Sequence, residues 1–312
     1  PRLASKTGPP VPMDYFIDLF FSGLTRGSIY ALIALGYTMV YGVIELINFA
    51  HGEIYMIGAF TALIVTGALT ILGMNLIAIF VIAALVAIVW SAGYGYTMEK
   101  IAYKPLRNSP RLSALIGAIG MSMFLQNYVR LAQTSDFLPF PQLVPELTFL
   151  GPILNLITSA QFIIFSTTAV VMVILWILIK FTRIGKSMRA VSQDKVMSRL
   201  LGINVDRVIG LTFIIGSATA ALGGVLISSH IGQINFYIGF IAGIKAFVAA
   251  VLGGIGSIPG AVVGSFVLGM TESYGAGYIS SDYEDVFAFI FLVVILIFKP
   301  SGILGRAENE KV

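Results

Sequence analysis

Long apolar runs separated by short polar loops are the feature that most constrains this chain. A helix needs about 20 apolar residues to cross the hydrocarbon core of a bilayer. Eight or nine runs in the sequence suit such crossings, and the pair that meets near 253–260 forms either two thin spans or a re-entrant hairpin. We therefore predict an all-α fold, a polytopic membrane helix bundle with broken or re-entrant helices. The candidate spans are 28–44, 54–73, 76–98, 112–132, 161–180, 208–229, 238–256, 260–279 and 286–298.

Composition supports a membrane protein. Hydrophobic residues make up 57% of the 312 residues and charged residues only 11%, against about 25% charged in a soluble domain. Lipid must therefore cover much of the surface. The sequence has no cysteine, which excludes a disulfide framework, a cysteine zinc site and a catalytic thiol.

Charge in the loops predicts the orientation. Lysine and arginine are concentrated in 99–111 and 180–207, and such loops normally face the cytoplasm. The intervening 133–160 loop has acidic residues and no lysine or arginine, and 280–285 is also acidic. We predict that both of these face outward. The basic residues after 298 place the C-terminus inside.

We expect one transmembrane permease domain over 13–312, with a cytoplasmic loop at 181–207. Residues 1–12 are polar and rich in proline, and they lack the apolar core of a signal peptide. We interpret them as an appended or disordered leader. Residues 14–24 place two aspartates on one helical face beside phenylalanines, which favours a helix lying at the membrane interface.

A short internal repeat predicts the architecture. Residues 47–60 and 234–247 are identical at eight of fourteen positions without gaps, and each copy follows an apolar span. Five spans separate the copies, so the copies should point in opposite directions, as in the inverted repeats of transporters. The alternative is that an Asn-Phe pair beside glycine simply breaks a helix twice.

Polar residues in or beside the spans are candidates for a translocation path. Charges in hydrocarbon cost roughly 2.5–3.5 kcal/mol on insertion scales, so they usually face a bundle interior or a water-filled path. The 45–53 cluster is alternatively a solvated helix end, and the lysine at 245 either snorkels outward or pairs with a carboxylate across the repeat. The path candidates are Glu45, Asn48, His51, Asn235 and Lys245.

The sequence argues against chemistry in this chain. Gly185-Lys186-Ser187 resembles the end of a nucleotide-binding P-loop, but Lys180 occupies the position of its first glycine. Only two histidines are present, without an H-E-x-x-H motif or paired aspartates in the spans. We therefore expect no enzyme, and no catalytic, cofactor-binding or metal-binding residues. A self-sufficient channel or secondary transporter remains an alternative.

The 181–207 segment is basic and partly amphipathic. Apolar residues such as Met188 and Leu200 alternate with charged residues such as Arg189 and Lys195. A short helix of this kind at a cytoplasmic face suits docking of a partner protein. Its charge also suits a helix that lies on anionic lipid.

Several stretches, in this order along the chain, resemble the LivH-type permease subunits of branched-chain amino-acid ABC importers, within the wider family that includes ribose-type sugar permeases. The resemblance runs from about residue 13 to the C-terminus. It is less specific for the substrate, because related permeases carry urea, amides or other amino acids. The matching stretches are Gly36-Tyr-Thr-Met-Val-Tyr-Gly42, Ile47-Asn-Phe-Ala-His-Gly-Glu53, Ala114-Leu-Ile-Gly-Ala-Ile-Gly-Met-Ser122, Phe124-Leu-Gln-Asn127, Leu200-Leu-Gly-Ile-Asn204, Ala249-Ala-Val-Leu-Gly-Gly-Ile-Gly-Ser-Ile-Pro-Gly260 and Pro300-Ser-Gly-Ile-Leu-Gly305.

The resemblance implies a multi-pass protein of the bacterial inner membrane that imports branched-chain amino acids. It implies a homologous second permease, two cytoplasmic ATPase subunits that bind ATP and magnesium, and an external substrate-binding protein. By analogy with the family's coupling loop, the ATPase contact would include Gly185, Arg189, Ala190, Leu201 and Gly202.

Overall fold

The computed structural model describes residues 12–107, 109–144, 157–299 and 301–305, and these are almost entirely helical. One π-helical turn, Glu99–Tyr103, follows α3, and a 3-10 turn, Ser281–Tyr283, precedes α12. The helices are α1 (Pro12–Ile44), α2 (His51–Ile71), α3 (Leu76–Met98), α4 (Lys104–Leu106), α5 (Arg111–Ala132), α6 (Ser159–Phe181), α7 (Arg183–Gln193), α8 (Lys195–Leu200), α9 (Val205–Ile231), α10 (Ile238–Gly253), α11 (Ile258–Tyr278) and α12 (Glu284–Phe298). Two short strands pair antiparallel, β1 (Leu138–Pro139) and β2 (Gln233–Ile234).

Six helices of the described residues are long and apolar enough to cross a membrane. They contain α1, α2, α3, α5, α6 and α9. Helices α10 and α11 pass the same test only together and are bent by 118° at their junction, as a broken span or re-entrant loop would be. The predicted polytopic helix bundle with a broken pair is confirmed. The predicted number of eight or nine crossings is not, because α12 has only 15 residues and the bent pair adds at most one span.

The prediction of a separate interfacial helix at 14–24 is wrong. These residues form the first turns of α1, which is continuous for 33 residues and packs antiparallel along α11. The hydroxyl of Tyr15 donates to the carbonyl of Gly277 at 2.8 Å, and the ring of Phe16 lies 5.1 Å from that of Tyr274. A helix partner therefore covers part of the surface that we had assigned to the membrane interface.

The repeat organises the centre of the bundle. Helix α1 ends three residues before the first copy, and α9 ends three residues before the second. Each copy then leads into a helix, α2 or α10, that is followed by another, α3 or α11. Helix α1 packs on α10 and α11, while α9 packs on α2 and α3. The two groups of three helices therefore interlock with the same pattern of neighbours.

Helices α2 and α10 cross with their backbones in direct contact. A Cβ on Gly52 would lie 2.7 Å from the Cα of Gly243, and a Cβ on Gly239 would lie 2.9 Å from the Cβ of Met56. In the aligned repeat Gly52 corresponds to Gly239, and Met56 corresponds to Gly243. The two contacts are therefore equivalent. From Gly52 to Met56 along α2, the facing residue on α10 changes from Gly243 to Gly239, so the two helices are antiparallel. A two-fold related, antiparallel crossing is what an inverted repeat requires.

The predicted loops collect at two ends of the bundle. Arg107, after α4, pairs with Asp206 at 2.6 Å, and Lys195 of α8 donates to the carbonyl of Ile44 at 3.2 Å. Both basic segments therefore lie at one end. At the other end, the amide of Phe140 donates to the carbonyl of Gly232 at 2.9 Å, which ties the acidic loop to the end of α9.

The α2–α10 crossing predicts a large effect of a small substitution. Gly52→Ala should lower the free energy of unfolding by about 1–3 kcal/mol, because the added methyl overlaps the facing helix; a Cβ there lies 2.3 Å from the carbonyl oxygen of Gly239. Gly67→Ala, in the same helix, is the control, since a Cβ there meets nothing within 4 Å. The measurement is thermal unfolding in detergent. Equal midpoints for the two variants would contradict the close crossing.

Candidate functional site

A cavity of about 430 Å³ lies at the bundle end that carries the acidic loops. Its walls come from α1, the end of α9, strand β2, the first turns of α10 and the first residue of α12. One side is aliphatic, formed mainly by isoleucine side chains, and the other carries charges. The aliphatic side chains are Ile29, Ile227, Ile231, Ile234, Ile238 and Ile241.

Lys245 is the centre of the charged side. Its ammonium lies 3.3 Å from Glu272, 3.0 Å from Glu284 and 2.7 Å from Asp285. These carboxylates belong to α11 and α12, so the lysine joins three helices. The two alternatives for Lys245 are thereby resolved in favour of pairing, although its partners lie in the same half of the chain and not across the repeat.

Arg26 of α1 completes the charged side. Its guanidinium pairs closely with Glu284 and lies 3.9 Å from Glu272. The hydroxyl of Tyr30 donates to the same oxygen of Glu272, Oε2, at 2.6 Å, whereas Lys245 faces Oε1. The network therefore combines two cations with three carboxylates around one face of the cavity.

Two of the five predicted path residues line this cavity, Asn235 and Lys245. Asn235 lies in the short segment between β2 and α10, where its side chain accepts from the amide of Tyr237 at 3.1 Å. The repeat motif therefore marks the entry of α10 into the bundle at the cavity wall.

The first copy of the motif is placed differently. The side chain of Asn48 is buried and accepts from the hydroxyl of Tyr103 at 2.7 Å. His51 is also buried, with its ring 4.8 Å from that of Tyr37. Glu45 is exposed, so the solvated-end interpretation fits this residue alone. These three residues do not line the cavity that contains Lys245, and their role in a path stays a prediction.

Sequence reasoning did not select Arg26, Glu272 or Glu284 as site residues. Glu272 had a usable signal, a carboxylate inside an apolar run. Arg26 lies between the predicted interfacial helix 14–24 and the predicted span 28–44. Glu284 was assigned only to the acidic loop 280–285. Their shared site depends on contacts between distant helices, which no local pattern encodes.

The 181–207 segment forms two short helices at the opposite end, and side chains cap both. Thr182 accepts from the amide of Gly185, and Asp194 accepts from the amides of Val196 and Met197. Gly185 is buried against the end of α6, and a Cβ there would lie 2.2 Å from the carbonyl oxygen of Ile179. Arg189 donates to that same carbonyl. Gly185 and Arg189 therefore hold α7 against the bundle.

Helix α8 and the turn after it project apolar side chains outward. Leu200 is 76% exposed and Leu201 73% exposed. Gly202 has a φ of +81° and Ala190 is half-buried. The exposed face also includes Val196 and Met197. Of the predicted coupling residues, Gly185 and Arg189 thus fasten the segment, whereas Leu201 and Gly202 lie at its outward face. The exposed apolar side chains of Val196–Leu201, those of Val196, Met197, Leu200 and Leu201, form an apolar patch there.

A helical membrane protein with an inverted repeat, a part-charged cavity between its halves and an amphipathic segment at the far end is of the transporter class. The family of branched-chain amino acid transport system permease components matches residues 19–296. The chain belongs to this family.

Relatives match nearly from end to end. The chain is 51% identical to the high-affinity branched-chain amino acid transport system permease protein LivH of Escherichia coli K12, over 96% of this chain and 98% of the relative. The LivH protein of Salmonella typhimurium is 50% identical over the same shares. The BraD permease protein of Pseudomonas aeruginosa is 49% identical, again over 96% and 98%.

The charge network predicts that Lys245 is structurally important. Lys245→Met should lower the free energy of unfolding by about 3–5 kcal/mol, because it leaves the fully buried carboxylate of Glu272 without its nearest cation. Lys180→Met is the matched control, since Lys180 is exposed and lies over the ring of Trp176. The control should change stability by less than about 1 kcal/mol. The measurement is the unfolding midpoint in detergent, and similar midpoints for both variants would refute the prediction.

Proposed function

We propose that this chain is the permease subunit of an ATP-driven importer that carries leucine, isoleucine and valine across the bacterial inner membrane. The observation that carries the proposal is the cavity, which pairs a wall of isoleucines with a charged side. Transfer of an aliphatic side chain from water to such an apolar wall is favourable. A zwitterionic head group suits the charged side.

The proposal assigns energy conversion to other subunits. The sequence lacks a complete P-loop, so ATP and magnesium would bind to two cytoplasmic ATPase subunits. The relatives are named as permease proteins of branched-chain amino acid transport systems. A homologous second permease and an external substrate-binding protein would complete the assembly. This chain would then have no enzymatic activity and no cofactor of its own.

The apolar patch Val196–Leu201 is the proposed ATPase contact. Exposed aliphatic side chains next to charged ones favour a protein partner, which would remove them from water. Thr182 and Asp194 fix the ends of the two helices, so the patch would be presented on a defined support. Closure of the ATPases on ATP would move this segment and switch the permease between outward-facing and inward-facing states.

Reconstitution in liposomes tests the function. The chain would be combined with its candidate second permease, ATPases and binding protein, and uptake of labelled leucine would be measured. We expect uptake that requires ATP and every subunit. Uptake by this chain alone without ATP would instead establish a self-sufficient channel or secondary transporter. ATP-dependent uptake of urea or an amide, but not of leucine, would refute the substrate assignment.

The docking surface can be tested separately. Leu200→Ser combined with Leu201→Ser should reduce co-purification of the ATPase, because burying these side chains contributes to binding. Ile101→Ser is the control, since Ile101 is 67% exposed at the same end of the bundle but outside the patch. The unfolding midpoint should stay unchanged for both. Full ATPase recovery with the double variant would place the contact elsewhere.

A further inference from the structure

The charges around the cavity differ in how accessible they are. The side chain of Arg26 is 33% exposed and that of Glu284 is 24% exposed, against 11% for Lys245 and 0% for Glu272. Asp285 is more exposed, at 61%, but it is not part of the cavity lining, which includes both Arg26 and Glu284. Within the cavity, a solute therefore reaches the pair of Arg26 and Glu284 first.

Lys245 does not depend on Glu284 alone. It also lies 3.3 Å from Glu272 and 2.7 Å from Asp285. Glu272 in turn accepts from the hydroxyl of Tyr30. If Glu284 turns toward a ligand, the buried lysine keeps two carboxylates, so the exchange leaves no buried charge unpaired.

We propose that the pair of Arg26 and Glu284 opens to hold the head group of an α-amino acid. The ligand's carboxylate replaces Glu284 on the guanidinium of Arg26, and its ammonium pairs with the freed carboxylate of Glu284. The ligand brings one charge of each sign, so each ion keeps a counter-ion. A guanidinium is suited to this role because it binds a carboxylate through two parallel hydrogen bonds.

The same geometry orients the ligand's side chain. The cavity of about 430 Å³ falls within the usual range for small-molecule sites, about 300–1,000 Å³. With the head group at the charged side, an aliphatic side chain reaches the isoleucine wall. Amides, urea and sugars lack the paired charges, so this site selects against them. The inference rests on the proposed function and assigns its specificity to two residues.

The absence of cysteine in the chain allows a direct test on the purified full-length protein. A single cysteine is introduced as Ile238→Cys in the cavity wall, and its labelling by a thiol reagent is timed with and without leucine. Bound ligand protects in proportion to 1 + [L]/Kd, so leucine at about twice its Kd should slow labelling about threefold. Ile71→Cys, at a site 87% exposed and outside the cavity lining, should label at an unchanged rate.

Ligands and variants then identify the head-group contacts. Leucinamide lacks the carboxylate and 4-methylpentanoate lacks the ammonium, so each should need at least about a tenfold higher concentration for equal protection. In the Ile238→Cys background, Arg26→Gln should abolish protection by leucine, and Arg26→Lys should retain part of it. Lys180→Gln removes a cation outside the cavity lining, so leucine should protect the cysteine in this variant as well as it does in the parent.

Two further experiments distinguish a wrong inference from a misfolded variant and from a wrong proposed function. The double variant Arg26→Gln with Glu284→Gln removes the pair without leaving either charge alone, so it should fold and still show no protection. Undiminished protection in that variant, or equal protection by leucine and leucinamide, would overturn the inference. If the reconstituted importer with Arg26→Gln takes up leucine with a parental KM, the inference fails while the proposed function stands.

Discussion

The close crossing of α2 and α10 is the contact on which the rest of the bundle depends. In lipid, helices gain little from burying apolar side chains against each other, and small residues that let backbones touch become decisive. Gly52, Gly239 and Gly243 supply that contact, and the repeat places them so that each half provides one side. The helices before and after the crossing then pack on the opposite half. A short motif that occurs twice thus determines the neighbours of six helices.

The two halves differ in how they hold their outer helices. In the first half, Glu53 of α2 accepts hydrogen bonds from Ser122 and Gln126 of α5, both at 2.8 Å. In the second half, Lys245 of α10 holds the start of α12 through ion pairs. Both arrangements give partners to side chains that would be costly in hydrocarbon, although both hydrogen bonds to Glu53 go to the same oxygen, Oε1. Only the second one borders the cavity that contains Lys245. Corresponding helices of the two halves therefore carry a structural clamp on one side and the proposed binding surface on the other.

Much of the architecture could be predicted from the sequence, because the length of an apolar run reports directly on membrane crossing. Helices α2, α3, α5, α6 and α9 lie close to their predicted spans. The start of α1 was missed, because Arg26 and its neighbouring glycine interrupt the apolar run. Only some of the cavity residues could be predicted. The repeat indicated Asn235, and a charge in an apolar run indicated Lys245. The pairing of Arg26 with Glu284 could not be predicted, because it links positions far apart in the chain. Local patterns indicate that a charge needs a partner, but tertiary packing selects it.

Helix α1 joins the end of the bundle that carries the cavity to the end that carries the α7–α8 segment. Arg26 lies at the cavity, and the carbonyl of Ile44, at the last turn of the same helix, accepts from Lys195 of α8. At 1.5 Å per residue, the helix between them extends about 27 Å, close to the thickness of the hydrocarbon core, about 30 Å. The helix is unbroken over this length. Because a continuous helix has every interior backbone hydrogen bond in place, it resists bending more than a segmented one would. A displacement of the α7–α8 segment therefore acts on the same rigid element that holds Arg26 beside Glu284.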